Sequence, residues 1–380
     1  MKIKSKVLSA AVILLLMVGC QEERGMPPHS STLRPESRIA GSKSETPGSA
    51  TTFSVENEIN LTEWRNIATS IPILETKVHN VDMGIALELF QTSEDPFQKI
   101  PEQESDSTRE GYISKSGKLL TREQNRFTFV NPNYLYMNII NAYRTQKNDY
   151  YNANRFIEPK DFMFGSADEF LQENKKLADQ LNIQIDNTKI YYLDHEVMED
   201  ELKNLVDTTG ENLIPEEFRI DEWTENDDAY AYEYRLKAGD LLLTNRDHGD
   251  FSKGSLVEGS ALQVIRSQDG ILSFTARGLI DYSGIIEKPQ NIIGVDEALQ
   301  RLDESLDSIF SDKQFSVKSI SLEYIGEYIN QDRTQIRLIP AWCFEVEHKY
   351  LLKKDEKDEG EWSSEIIYID INAITGKEML

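Results

Sequence analysis

The sequence predicts an α+β chain, and three observations carry that reading: two amphipathic helical stretches, strand-like runs after each, and turn residues joining those runs into hairpins. Helix followed by several strands, rather than strict alternation, is the pattern of α+β folds. At 380 residues the chain can hold two or three domains, each with a core. The first helical stretch is 167–181. Ser166 stands where a cap belongs, Asp168 and Glu169 occupy the first turn, and Phe170, Leu171, Leu177 and Leu181 share one face. A short apolar run at 189–193 and an acidic helix at 195–206 follow. Strands are then predicted at 229–236, continuing at 240–244, and at 260–266. Gln268-Asp269-Gly270 joins the last of these to 271–279, and Asp-Gly is a strong hairpin signal.

The second unit repeats this order. A helix at 295–310 places Ala298, Leu299, Leu302, Leu306 and Ile309 on an apolar face. Strands follow at 317–329, 335–348 and 364–372, with a charged hairpin loop at 353–361 and a turn at Thr375-Gly376. Ahead of both units, residues 53–160 read as β-leaning. The stretch 77–82 alternates and leads into 85–90, and segments 126–130 and 134–140 are β-branched and aromatic. Residues 83–90 also fit a helical turn. The polar stretch 91–118 reads as a loop.

The first fifty residues differ in kind. Lys2, Lys4 and Lys6 precede an apolar stretch at 7–18, which is shorter than the ~20 apolar residues a membrane-spanning helix needs. Met17-Val18-Gly19-Cys20 then resembles the bacterial lipobox. A small residue, Gly19, precedes the bond a signal peptidase cuts, and the Cys20 thiol is free to take a diacylglyceryl group. Met17 departs from the usual Leu. Acyl chains at ~0.8 kcal/mol per buried CH₂ would hold such a chain on a membrane. Residues 21–50 are dominated by Ser, Gly, Pro, Glu and Thr, which cannot bury enough apolar surface to order themselves. As a flexible tether they reach roughly 30 Å. The expected division is therefore a signal at 1–19, a lipidated tether at 20–52, a β-rich region at 53–160, and α+β modules at 161–288 and 289–380.

Charge narrows the partners. There are 41 basic and 66 acidic residues, a net of −25. Removal of residues 1–19 takes away three lysines and no acid, which makes it −28. A field of that sign repels phosphate backbones and argues against nucleic acid. With Cys20 committed to lipid, Cys343 is the one thiol left, in an apolar run where a core cysteine fits, so no internal disulfide is available.

The passage from Ile339 to Val346, with Pro340-Ala341-Trp342, followed by Ile369-Asp370-Ile371-Asn372-Ala373-Ile374-Thr375-Gly376-Lys377-Glu378, resembles the end of PepSY-like modules. Those show a proline-small-tryptophan strand and then a strand ending Asp-Ala-x-Thr-Gly-Glu; here Asn372 and Lys377 depart from that pattern. The match covers roughly the last 90 residues, with a fainter echo at 166–286. The whole layout is similar to uncharacterised lipoproteins of Firmicutes and to YycH/YycI-type extracytoplasmic proteins that restrain an envelope sensor kinase. The resemblance implies helix packed on antiparallel sheet and a non-catalytic role in binding or regulating another protein; it transfers no functional residue. Read without it, Trp342 is a core residue, Gly376 supplies a positive φ, and Pro340 marks a strand start or an edge.

Motifs for catalysis are few. Gly-x-Ser-x-Gly, the phosphate loop Gly-x₄-Gly-Lys-[Ser/Thr] and Ser-x-x-Lys do not occur. His195-Glu196-Val197-Met198-Glu199 has Glu where a zinc-protease motif needs His, and no third ligand is indicated, so a solvated helix start is the plainer reading. The loop 245–250 gathers oxygens but lacks the order of a calcium hand and reads as a turn. The acid runs 221–228 and 355–361 read as solvated loops, and the sixteen tyrosines as strand packing. The expectation is a membrane-anchored extracytoplasmic lipoprotein that binds an envelope protein, with no catalytic residue, cofactor or metal assigned. The alternative is a solute-binding or hydrolytic lipoprotein acting on cell-wall or carbohydrate material.

Overall fold

A computed structural model describes residues 53–379 except 68, 102–108, 133–153, 204–221, 247–255, 310–313 and 353–360. Cys20 and Gly19, the tether, the segment 134–140 and the hairpin loop after 352 lie outside the described residues.

In chain order the first elements are β1 (Phe53–Val55), α1 (Leu61–Arg65), β2 (Ile73–Lys77), α2 (Met83–Phe90), β3 (Phe97–Lys99), β4 (Arg109–Ser114), β5 (Leu119–Glu123) and β6 (Arg126–Val130). Then come α3 (Ala167–Gln180), β7 (Ile185–Leu193), α4 (His195–Lys203), β8 (Ala229–Ala238), β9 (Leu241–Leu242), β10 (Ala261–Ser267), β11 (Gly270–Arg277) and β12 (Ile286–Lys288). The last are α5 (Val295–Ile309), β13 (Gln314–Tyr328), β14 (Gln335–Leu352) and β15 (Glu361–Asn372). The class is α+β with strands predominating. No described helix is long and apolar enough to cross a membrane.

Two sheets organise these strands. One runs β3-β4-β5-β6-β11-β10-β8-β7, with β9 on β8. The other runs β1-β13-β14-β2-β12, with β15 also on β14. Every strand pair is antiparallel except β1 with β13. Strands from 53–130 therefore serve both sheets: β1 and β2 join the C-terminal strands, while β3–β6 continue the central ones through β6 on β11.

Each long helix covers one sheet. On α3, Ser166 and Glu169 form a reciprocal capping box, and Ala167, Asn174, Leu177 and Ala178 are buried. Beneath it Tyr230, Tyr232 and Tyr234 alternate along β8, all fully buried, and Tyr232 Oη donates to the Ala167 carbonyl at 2.9 Å. We expect Ser166→Ala to cost about 1 kcal/mol in urea denaturation, because it leaves a first-turn N–H without its acceptor. On α5, Val295, Ala298, Leu302 and Leu306 recur at helical spacing with at most 1% exposure, opposite Trp342, Phe344, Val346 and Ile371. Gly270 has φ +88° in the β10–β11 turn, which suits the Asp-Gly reading.

Three sequence expectations need correction. The strand expected at 77–82 lies earlier, at β2, and 83–90 takes its helical alternative. Asp82 Oδ1 accepts from the Gly84 N–H at 2.7 Å, and Met83, Ala86 and Phe90 turn inward at helical spacing. The stretch 91–118 is not all loop. It carries β3 and β4, whose alternation is blurred because neither face is fully buried. Pro340 sits neither at the start nor at the edge of its strand but inside β14, between β13 on one side and two successive partners on the other. β2 pairs with Gln335 to Leu338, and β15 takes over from Ala341. The Pro340 carbonyl accepts from Ala373 N–H at 2.9 Å, so its missing N–H faces the gap where one partner strand hands over to the next. No ladder bond is lost.

Residues 241–246 and 256–260 tie the sheets together. Leu243 bridges Tyr324 and Leu256 bridges Glu327 along the edge of β13, and Val257 N–H donates to Gly326 O at 2.8 Å. Gly326 makes that approach feasible, since a Cβ there would fall 2.9 Å from the Val257 side chain.

Candidate functional site

The register Leu193↔Ala229 between β7 and β8 brings the residues just beyond each strand together: Asp194 and His195 opposite Asp228. Asp228 is positioned by a 3₁₀ turn at Glu225–Asp227 with a Thr224 capping box. Its Oδ1 accepts from the His195 backbone N–H and from His195 Nδ1, each at 2.8 Å. Asp194 Oδ1 accepts from the backbone N–H groups of Glu196 (3.0 Å) and Val197 (3.3 Å) and so caps α4, while Oδ2 pairs with Lys160 Nζ. Arg155 pairs with Asp200 and Glu201 further along the same helix.

One ligand atom from each of Asp194, His195 and Asp228 lies within 4.8 Å of the others, a spacing a cation could bridge. The same groups already have protein partners. Lys160 already supplies the positive charge at Asp194, and Asp228 is engaged by two N–H groups. Burial disfavours charge at Asp194, yet the Lys160 amine and the two backbone donors outweigh it and lower its pKa. At His195 burial likewise opposes the charge, and Asp228, Asp194 and Glu196 overcome it, so the imidazole pKa is raised. With Nδ1–H on Asp228, the neutral ring carries its lone pair on Nε2. Among the described residues no serine, threonine or cysteine hydrogen-bonds to this ring. The group reads as an ion-paired helix cap.

A raised imidazole pKa stabilises the fold fully below the unfolded value near 6.5, and that contribution fades as pH climbs through the higher folded value. His195→Gln is therefore expected to lower the urea midpoint at pH 5.5 and to lie closer to wild type at pH 9. Equal loss at both pH values would refute the charge-assisted clamp.

A second polar cluster lies on the face of the β13–β14–β15 sheet opposite α5. Register places Ser321, Cys343 and Asp370 in one row, with Glu323 two residues along. Arg246, from the segment linking the sheets, binds Asp370 Oδ1 at 2.7 Å, and its guanidinium lies 4.9 Å from the Tyr368 ring centre. Arg235 of β8 reaches across to Glu323 Oε2 at 2.8 Å and to the Leu243 carbonyl at 2.9 Å, and Ser321 Oγ donates to Glu323 Oε1 at 2.8 Å. The Asp370 and Glu323 side chains are 3% and 6% exposed. Burial, with the Asp370 charge beside it, drives the Cys343 thiol well above its ordinary pKa, so it stays protonated and is a poor nucleophile. These ion pairs fasten one sheet to the other.

The expected site residues thus part company. His195 turns to Asp228, so the start of α4 is an ion-paired site rather than a solvated one, and Asp228, expected in the solvated run 221–228, is buried. Of the loop 245–250, residues 247–250 lie outside the described residues, and Arg246 is engaged as a cation by Asp370. The signal for the second cluster was present in the sequence as acids inside apolar strands: Glu323 among Ile320, Leu322 and Ile325, and Asp370 between Ile369 and Ile371.

The fold has a solved relative. The crystal structure at 1.45 Å resolution of an uncharacterized protein from Eubacterium rectale ATCC 33656 aligns with 86% of this chain and 89% of its own, with a TM-score of 0.57 and 15% identity. At that identity the likeness concerns the fold alone. No family model matches the chain, and no curated protein does.

Proposed function

We propose that the chain is an extracytoplasmic lipoprotein, held on a membrane through Cys20, whose α+β body binds or regulates another envelope protein without catalysing a reaction. The observation that carries this is the order of residues 1–20: three lysines, a dozen apolar residues, then Met17-Val18-Gly19-Cys20. A thiol after a small residue at the end of a short apolar stretch is what lipid transfer and cleavage require.

Features of the body support the non-catalytic half. The two polar clusters are consumed by packing, one capping α4 and the other joining the sheets. The PepSY-like reading of 289–380 is supported by α5 followed by a three-stranded antiparallel meander, with Pro340-Ala341-Trp342 in its central strand. Cross-linking in intact cells followed by pull-down is expected to recover the chain with a second envelope protein, and Cys20→Ser is expected to release it from the membrane fraction. Repeated recovery of the chain alone would count against a partner, and unchanged membrane retention of the variant against the anchor.

A further inference from the structure

Among the described residues nothing pairs with the outer edge of β15 over part of its length, and the chain itself shows what such an edge accepts. Ala373 N–H bonds to Pro340 O across to β14, and the unbroken register from there assigns odd-numbered residues of β15 to the β14 ladder. Even-numbered residues aim their N–H and C=O outward. At Asp370 and Asn372 those groups are taken by the C-terminal segment: Met379 N–H donates to Asp370 O and Asn372 N–H to Lys377 O, each at 2.8 Å, with Glu378 bridging Ile371 in antiparallel sense. Further along, the outward groups of Trp362, Ser364 and Ile366 have no protein partner among the described residues. The three side chains share a face, and Trp362 is 61% exposed.

We propose that the β15 edge at Trp362, Ser364 and Ile366 is a docking edge for an extended, lysine- or arginine-bearing segment of a partner protein, which adds as an antiparallel strand in line with Lys377–Met379. This rests on the proposal that the body binds a protein, and names the surface and the chemistry. An open edge supplies alternating donors and acceptors that any extended backbone can satisfy. Charge selects among occupants. The chain carries −25, and beside this edge Glu345, Glu347 and Glu365 outnumber Lys318 and Lys349, both of which pair with Glu347, while Glu365 is held by His348; a cationic segment is thus drawn in while a second copy is repelled. Trp362, standing clear of the sheet, offers an apolar and cation–π contact to a residue on the added strand.

The test uses the full chain in detergent and a nine-residue peptide of alternating lysine and valine. Trp342 and Trp223 are buried and Trp64 is half-buried, so a blue shift on binding reports chiefly Trp362. Binding is expected to weaken at least tenfold when the peptide is N-methylated at alternate amides, which keeps its charge and removes its donors. Ile366→Pro, which deletes an outward N–H without touching the β14 ladder, is expected to weaken it at least tenfold, as is Ser364→Lys, which repels the probe. No binding by the wild type, or equal binding of the methylated peptide, would overturn the proposal. So would affinity unchanged in both variants. A dimer that Ile366→Pro dissociates would instead make a second copy the occupant. None of these readings depends on the anchor, so failure here is separable from failure of the membrane placement.

Discussion

Trp342→Ala is expected to destabilise the protein by about 3–5 kcal/mol, the range for removing a large aromatic from a packed core. Trp342 is 0% exposed on the central strand β14 and faces α5. Its indole meets Trp64 edge-on at 5.8 Å between centroids, and Nε1–H donates to the Ile293 carbonyl at 3.0 Å. Alanine removes the ring, leaves a cavity between α1, α5 and the sheet, and strands a carbonyl at the approach to α5. Trp342→Phe keeps much of the volume and loses the donor, so it is expected to cost about 1–3 kcal/mol. Urea midpoints for the pair separate packing from hydrogen bonding. A loss below 1 kcal/mol for alanine would mean that the indole does not fill this core.

Asp370→Ala is expected to cost about 3–5 kcal/mol, because it leaves Arg246 buried without its carboxylate. The pair lies 2.7 Å apart with side-chain exposures of 16% and 3%. Most of that loss is the penalty for an unmatched charge rather than the worth of the bond. The double variant Arg246→Met with Asp370→Leu is therefore expected to be closer to wild type than either single change. Urea midpoints of the two single variants and the double variant measure this directly. Additive losses in the double variant would show that Arg246 and Asp370 act independently.

How much of this was legible in the sequence follows from which forces set each element. The helices α3 and α5 announce themselves by apolar residues at helical spacing, and the strands β8, β10, β11 and β13–β15 by β-branched and aromatic runs bounded by turn residues, with one face of β8 buried throughout. Elements near residue 80 do not. α2 is eight residues long, and its Ile85 and Leu87 fit a strand pattern as well; the Asp82 cap, a local hydrogen bond, decides for helix. β3 and β4 hide in a polar stretch because neither has a fully buried face, although they pair locally with each other and with β5. Pro340 misleads for a different reason: its tolerance depends on β2 and β15 meeting beside it, and β2 lies over 250 residues earlier in the chain. In the candidate sites, single residues were visible and their partners were not. His195 shares a helix face with Glu199 four residues on, yet the fold hands it Asp228, thirty-three residues away.

Whether the chain is an envelope lipoprotein is decided at its amino terminus. Intact-mass and peptide analysis of the chain isolated from the membranes of its native cell is expected to find a terminus at Cys20 carrying diacylglycerol on sulfur, with residues 1–19 gone. Recovery of an unmodified chain that still begins at Met1 would contradict it.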